Sequence, residues 1–242
     1  MSPDSPSLDS QSVDLQSPDL QALMEHISRI RASIPPGVRL IAVTKTVPVE
    51  KMRVAYAAGI RDFGENRVQE ALPKQAALQD LSQNVPPITW HLIGPLQRNK
   101  VRKAVEHFDW IHSVDSLPLA DRIAQVALDL NRSPRLCLQV KLRPDPQKIG
   151  WTPEDLREAI PHLAALPAVQ ICGLMSIPPL DTNPEEILKI FGEVRDLAKN
   201  LSELSELCFQ ELSLGMSGDY PLAIESGATL IRLGTILFGD RS

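Results

Sequence analysis

Arg39-Leu40-Ile41-Ala42-Val43-Thr44-Lys45, with Thr46-Val47-Pro48 behind it, is an apolar, β-branched run that ends in a cation. It reads as a buried β-strand, after which Pro48 opens a helical pattern that Gly59 closes. The same alternation continues to the far end of the chain. Further strand candidates are Arg61–Gly64, Thr89–Ile93, Trp110–Val114, Arg135–Leu142, Val169–Met175, Glu211–Leu214 and Thr229–Leu233. Thr152-Pro153-Glu154-Asp155 and Asn183-Pro184-Glu185-Glu186 each supply a capping side chain, a proline in the first turn and early acids, the signature of a helix start. Eight strands with seven intervening helical segments predict an α/β fold of parallel strands joined by right-handed crossovers. Eight such units fit a closed (β/α)8 TIM-type barrel. An open doubly wound sheet would want a GxGxxG turn after the first strand, and there is none.

Upstream, Ser17-Pro18 starts a helix with Leu20, Leu23, Ile27 and Ile30 at helical spacing, and Pro35-Pro36-Gly37 stops it. Residues 1–16 are rich in Ser, Asp and Pro and carry neither a basic start nor arginines. They read as a disordered tail rather than a signal or transit peptide. No Gly/Ser linker divides the remainder, so residues 17–242 are expected to form one domain.

The chain has 242 residues, 43% of them hydrophobic, which suits a single barrel core. A net charge of −5, from 25 basic and 30 acidic residues, argues against a general nucleic-acid or membrane-surface binder. No apolar stretch is long enough to span a bilayer. Cys137, Cys172 and Cys208 are an odd count without a CxxC pair, and all lie in or beside apolar runs. They read as reduced, buried thiols of a cytoplasmic protein rather than metal ligands.

A barrel of this class places its site at the carboxyl ends of the strands, often with a phosphate held after strands seven and eight. Those ends carry Lys45, Glu65-Asn66-Arg67, His91 and Gly94, Ser113, Lys141 and Met175-Ser176. After strand seven comes Gly215-Met216-Ser217-Gly218-Asp219, and at strand eight Arg232-Leu233-Gly234-Thr235. The last two segments are the best anion cradle in the chain, through glycines, backbone N–H groups and the Ser217 and Thr235 hydroxyls. Asp219 most simply caps the helix at Tyr220-Pro221. Lys45 can be an amine nucleophile for an aldehyde, since desolvation frees its lone pair. Arg232 lies in an apolar strand and requires a partner: a phosphate, a pyridine nitrogen or a strand acid. Pyridoxal phosphate (PLP) combines an aldehyde, a phosphate and such a nitrogen. Asn66 is either a contact for the phenolic oxygen or a turn residue. His91 is either a core histidine or a site residue, and Met175 packs in the barrel or against a flat ligand. Arg98, Lys100, Arg102 and Lys103 form a basic cluster that reads either as a solvated face or as a surface for an anionic partner.

Six ordered segments together resemble one family. They are Ala42-Val43-Thr44-Lys45, Phe63-Gly64-Glu65-Asn66-Arg67-Val68-Gln69-Glu70 and Trp90-His91-Leu92-Ile93-Gly94-Pro95-Leu96-Gln97-Arg98-Asn99-Lys100. Gly173-Leu174-Met175, Leu212-Ser213-Leu214-Gly215-Met216-Ser217 and Ile231-Arg232-Leu233-Gly234 complete the set. The chain resembles the pyridoxal phosphate homeostasis proteins, whose barrel is related to the N-terminal domain of alanine racemase. That resemblance implies a fold-type III barrel holding PLP as an internal aldimine on Lys45. It places Ser217, Gly234 and Thr235 on the phosphate, Arg232 at the pyridine nitrogen and Asn66 beside the ring; Met175, in a matched segment, is taken as a further cofactor-binding candidate. Arg67 and Leu214 depart from it, since many relatives carry tyrosine and methionine there.

The resemblance thus implies a PLP-binding protein of cofactor homeostasis and amino-acid/keto-acid balance, without turnover of its own; a monomer is expected because no helix is apolar on all sides. Its partners would be PLP itself and PLP-dependent apo-enzymes or a regulatory protein. The alternative is a PLP-dependent amino-acid racemase. Racemization needs an acid/base on each face of the substrate carbon. The racemases resembled supply the second from another domain, usually as a tyrosine. This sequence has only Tyr56 and Tyr220.

Overall fold

The computed structural model describes residues 17–144 and 149–239. The tail expected over residues 1–16 lies outside them. Eight strands follow one another: β1 (Arg39–Val43), β2 (Asp62–Glu65), β3 (Thr89–Leu92), β4 (Trp110–Val114), β5 (Arg135–Gln139), β6 (Gln170–Met175), β7 (Glu211–Ser213) and β8 (Leu230–Leu233). The helices are α1 (Pro18–Ser33), α2 (Val49–Ala57), α3 (Val68–Ala77), α4 (Gln79–Ser82), α5 (Val101–His107), α6 (Leu117–Asp129), α7 (Pro153–Ala164), α8 (Pro184–Leu204), α9 (Tyr220–Glu225) and α10 (Thr235–Phe238).

The strands pair in parallel in sequence order, and β8 returns to β1 to close the barrel, with Ile41 opposite Arg232 and Ala42 opposite Leu233. All eight expected strands are present. The alternation of side chains splits the core into two layers. Leu40 and Ala42 face the helices, whereas Ile41 packs inside the barrel with Trp110, Cys137, Met175 and Leu230. The amino-terminal end of the interior is plugged. Arg39 pairs with Glu211 there, and the Arg39 and Arg135 guanidinium carbons lie 4.9 and 5.4 Å from the centre of the Trp110 ring.

The caps read from sequence form as expected. Thr152 Oγ1 accepts from Asp155 N at 3.1 Å and Asn183 Oδ1 from Glu186 N at 2.9 Å, each contributing about 1 kcal/mol to its helix. Strand β5 is shorter than expected, ending at Gln139 rather than Leu142. Trp151 folds back onto it, donating from its N–H to Gln139 O at 2.8 Å and accepting from Lys141 N at 2.9 Å. Helix α10 adds to the expected elements; it starts directly where β8 ends.

The expectation of three buried cysteines holds only for Cys137. Cys172 is half-buried and Cys208 exposed, because Phe209 takes the inward place on the approach to β7. None is disulfide-bonded, and no cluster of potential metal ligands occurs among the described residues. Nor does any described helix have the length and apolarity to cross a membrane.

Gly173 marks the tightest point of the barrel wall. A Cβ there would lie 1.7 Å from the Glu211 carbonyl oxygen across the β6–β7 pairing, a clash with backbone that no rotamer relieves. Gly173→Ala is therefore expected to lose at least about 3 kcal/mol of stability, read as a lowered denaturation midpoint in urea.

Candidate functional site

Strand β1 delivers Lys45 through a strained turn. Val47 N donates to Thr44 O at 2.9 Å, and between them Thr46 adopts φ 64°, a region β-branched residues rarely enter. The turn is clamped from outside the barrel. Lys74 of α3 donates from Nζ to Thr44 O at 2.6 Å and to Glu65 Oε1 at 2.8 Å, and Thr44 Oγ1 donates to the same carboxylate oxygen at 2.7 Å. Thr44 and Glu65 are both fully buried. Next to this clamp, Asn66 follows the last residue of β2. Gly94 allows that chain to pass, since a Cβ on Gly94 would meet the Asn66 carbonyl oxygen at 2.3 Å.

The facing wall comes from the carboxyl ends of β7 and β8. Gly215 takes φ 81°, which turns the chain after β7 so that Ser217 points at the start of α10. Ser217 Oγ accepts from Gly234 N at 3.2 Å and from Ile236 N at 3.3 Å. Asp219 does not cap α9 as expected. Its Oδ1 accepts instead from Met216 N at 2.6 Å, bracing the loop that carries Ser217.

These walls enclose a cavity of about 360 Å³. Lys45, Thr46, Asn66, Ser217, Gly218, Arg232, Gly234 and Thr235 line it, together with the apolar Val43, Ile93, Ile177 and Phe238. Six of the seven expected site residues are thus brought together. Met175 is not among them. It is 1% exposed and packs in the inner layer with Ile41, Trp110, Cys137 and Leu230, because its position on β6 lies below the rim.

Arg232 forms part of the floor. Its Nη1 donates to the carbonyl and hydroxyl oxygens of Ser213, the latter at 2.6 Å, and its Nη2 to Ser176 O at 3.1 Å. Burial draws the guanidinium down to about 10, opposed by the negative charge of Asp219, so it remains a cation at neutral pH. Behind Ser213 lie groups that the local sequence does not announce. His112 Nδ1 is 2.8 Å from Ser213 Oγ, His112 Nε2 is 3.0 Å from His91 Nδ1, and His91 Nε2 is 2.9 Å from Asp62 Oδ1. His91 is thus a core histidine rather than a cavity residue. Burial, followed by the charges of His91, Arg232 and Arg39, holds His112 well below the usual imidazole value. Ser113 and Glu65 face away from the cavity; Ser113 Oγ donates to Gly94 O at 2.7 Å. In the basic cluster, Arg98, Arg102 and Lys103 are exposed and Arg102 pairs with Glu106 at 3.3 Å, as a solvated face would.

A match to the family described as "Alanine racemase, N-terminal domain" spans residues 19–242. A "Pyridoxal phosphate homeostasis protein" of Synechocystis is 53% identical over 214 residues, covering 88% of this chain and 96% of that protein. This chain belongs to the pyridoxal phosphate homeostasis protein family. Among solved structures, PipY of Synechococcus elongatus, determined without PLP, superposes with a TM-score of 0.86 at 56% identity, covering 90% of this chain and all of that one. Its PLP-bound form gives 0.85 at 55% identity, with the same coverage. An alanine racemase of Clostridium difficile shares the fold alone, with a TM-score of 0.74 at 16% identity over 92% of this chain and 57% of that one. The match thus takes in nearly all of the Synechocystis protein and of PipY, but little more than half of the racemase chain.

Two measurements probe the supports of the cavity. Lys74→Met strands the buried Glu65 carboxylate and is expected to cost about 3 kcal/mol in chemical denaturation, much of it recovered by Lys74→Met/Glu65→Gln. His112 is neutral in the fold but takes a proton in the unfolded chain below pH about 6.5. Its contribution is therefore complete above that pH and falls by about 1.4 kcal/mol per pH unit below it, a slope that His112→Gln should flatten in pH-dependent denaturation.

Proposed function

We infer that the cavity holds PLP and that the protein serves cofactor homeostasis, storing the cofactor or handing it on. The observation that carries this reading is the arrangement of four kinds of group around one cavity: an amine at Lys45, an amide at Asn66, a buried guanidinium at Arg232, and hydroxyl and N–H donors at Ser217, Gly234 and Thr235. They match the aldehyde, the phenolic oxygen, the ring nitrogen and the phosphate in turn. A cavity of about 360 Å³ falls in the usual range for small ligands. The family's name and the PLP-bound PipY support the same ligand.

When bound, PLP supplies an aldehyde that condenses with an amine. The chain's own groups then have separable roles. The clamped turn fixes the direction in which Lys45 enters the cavity. Ser217 and the N–H groups of Gly234 and Ile236 hold the anion. Arg232, a permanent donor, disfavours a proton on a ring nitrogen facing it and so weakens the ring as an electron sink. The apolar side chains of Val43, Ile93, Ile177 and Phe238 line the same cavity and would limit water around a bound ring.

We assign it no racemase turnover. Among the described residues that line the cavity, Lys45 and Arg232 are the only titratable side chains. Tyr56 lies on α2 with its hydroxyl 3.3 Å from Pro86 O, and Tyr220 does not line the cavity, so neither supplies the second acid/base. We further assign a monomer in the cytoplasm, with PLP-dependent apo-enzymes or a regulatory protein as recipients. The unpaired thiols, including exposed Cys208, suit a reducing compartment.

The protein incubated with PLP should acquire a visible absorption band, and borohydride should fix the cofactor on a peptide containing Lys45. Lys45→Ala should abolish the adduct, and Ser217→Ala should weaken retention by about tenfold through loss of one anion contact. A protein that takes up no PLP would refute the binding assignment. Conversion of L- to D-alanine that disappears in Lys45→Ala would reverse the non-catalytic one.

A further inference from the structure

The polar groups behind Arg232 form one continuous path through the barrel. It runs from Arg232 by way of Ser213, His112 and His91 to Asp62, with each hydrogen-bonded step between 2.6 and 3.0 Å. Ser213, His91 and His112 are 0% exposed, so no solvent exchange relaxes their geometry. Asp62 begins β2 at the amino-terminal end of the barrel, where its side chain is 18% exposed. It borders a cavity there that Arg31, Arg39 and Arg61 also line.

The proton positions along this path are determined by its two ends. Arg232 can only donate and the Asp62 carboxylate can only accept. Ser213 Oγ accepts from Arg232, which leaves its own proton for His112 Nδ1. Neutral His112 therefore carries its proton on Nε2 and donates it to His91 Nδ1. His91 in turn carries a proton on Nε2 and donates it to Asp62. Every bond points the same way and every member is satisfied. The Ser213 hydroxyl could accept from both sides, but reversing the direction would set the Nε2 lone pair of a neutral His91 against the Asp62 carboxylate, which cannot donate.

This path also addresses an electrostatic problem. Arg232 is a buried cation whose hydrogen-bond acceptors are two backbone carbonyls and a hydroxyl, all of them neutral. A buried charge needs compensation. Asp219 supplies part of it through space. The oriented dipoles of Ser213, His112 and His91 extend the influence of the Asp62 carboxylate to the same guanidinium. We propose that Asp62, acting through His91, His112 and Ser213, is a remote positioning residue for Arg232 and so for the ring-nitrogen side of the cofactor site, although it lies at the opposite end of the barrel. This rests on the assignment of the cavity to PLP.

The test combines imidazole nitrogen NMR of the full-length 15N-labelled protein with PLP titration of Asp62→Asn. In the wild type both His91 and His112 should give the signals of neutral rings protonated on Nε2. Loading with PLP should shift the His112 nitrogens. Asp62→Asn removes the charge and offers an amide that can drive the path backwards. It should weaken PLP retention by about three- to tenfold and displace the absorption maximum of the bound cofactor, while Asp62→Glu restores both. An Nδ1-protonated tautomer at either histidine overturns the proposal, and that measurement needs no variant to fold. So does an Asp62→Asn protein with unchanged retention and spectrum. A wild type with the expected tautomers that fails to load PLP would instead overturn the assignment of the cavity, and the positioning role with it.

Discussion

Closure of the sheet by β8 against β1 is the constraint on which the site depends. Lys45 is separated from Ser217 and Gly234 by most of the sequence, and only the parallel pairing of Arg39–Ala42 with Leu230–Leu233 makes them neighbours. Closure also means that none of the eight described strands is left at a sheet edge. It further decides which side chains can share the cavity. The inward set at the rim is Val43 from β1 and Arg232 from β8, each followed by a turn that points the next polar residues inward.

Around that constraint, the chain devotes charged groups to holding geometry. Lys74, Glu65 and Thr44 anchor the β1 turn from outside the barrel, and Asp219 anchors the loop after β7 through the Met216 N–H. The Arg39–Glu211 pair and the two guanidiniums over Trp110 close the opposite end. Ionic groups of this kind, buried at Glu65 and partly exposed at Arg39 and Glu211, seldom exceed apolar packing in stability. Their value is specificity of arrangement: a turn with Thr46 at positive φ persists because its neighbours over-determine it.

The fold was legible because each strand is a short apolar run punctuated by capped helices, and eight repeats leave few alternatives. Most of the cavity was legible for a related reason. Barrel sites lie at strand ends, so position singles out Lys45, Ser217 and Gly234 as candidates, whereas Asn66 reads equally as a turn residue without the family resemblance. What escaped depends on side-chain direction and depth. Met175 is the last residue of β6, yet its side chain turns down into the inner layer. Asp219 occupies a capping position, yet its carboxylate bonds backwards. His112 sits in Trp110-Ile111-His112-Ser113-Val114 on the same face as Trp110. The two-residue period places it inside the barrel, but nothing in the local sequence announces Ser213 of β7 as its partner. The last turn of the chain, α10, is too short for periodicity to reveal.

Ser217 has a consequence for how tightly an anion can be kept. Its hydroxyl already serves as acceptor to the Gly234 and Ile236 N–H groups. A phosphate arriving there would take over those two N–H groups and receive the hydroxyl's own proton, so the gain is one hydroxyl contact plus the difference between a charged and a neutral acceptor for the two N–H groups. The reverse holds on departure, when the same hydroxyl can reclaim both donors and spare them an unsatisfied state. The energetic gap between the loaded and unloaded forms is thereby narrowed from both sides. A narrow gap of this kind fits the proposed storage role, in which the cargo has to leave as well as arrive.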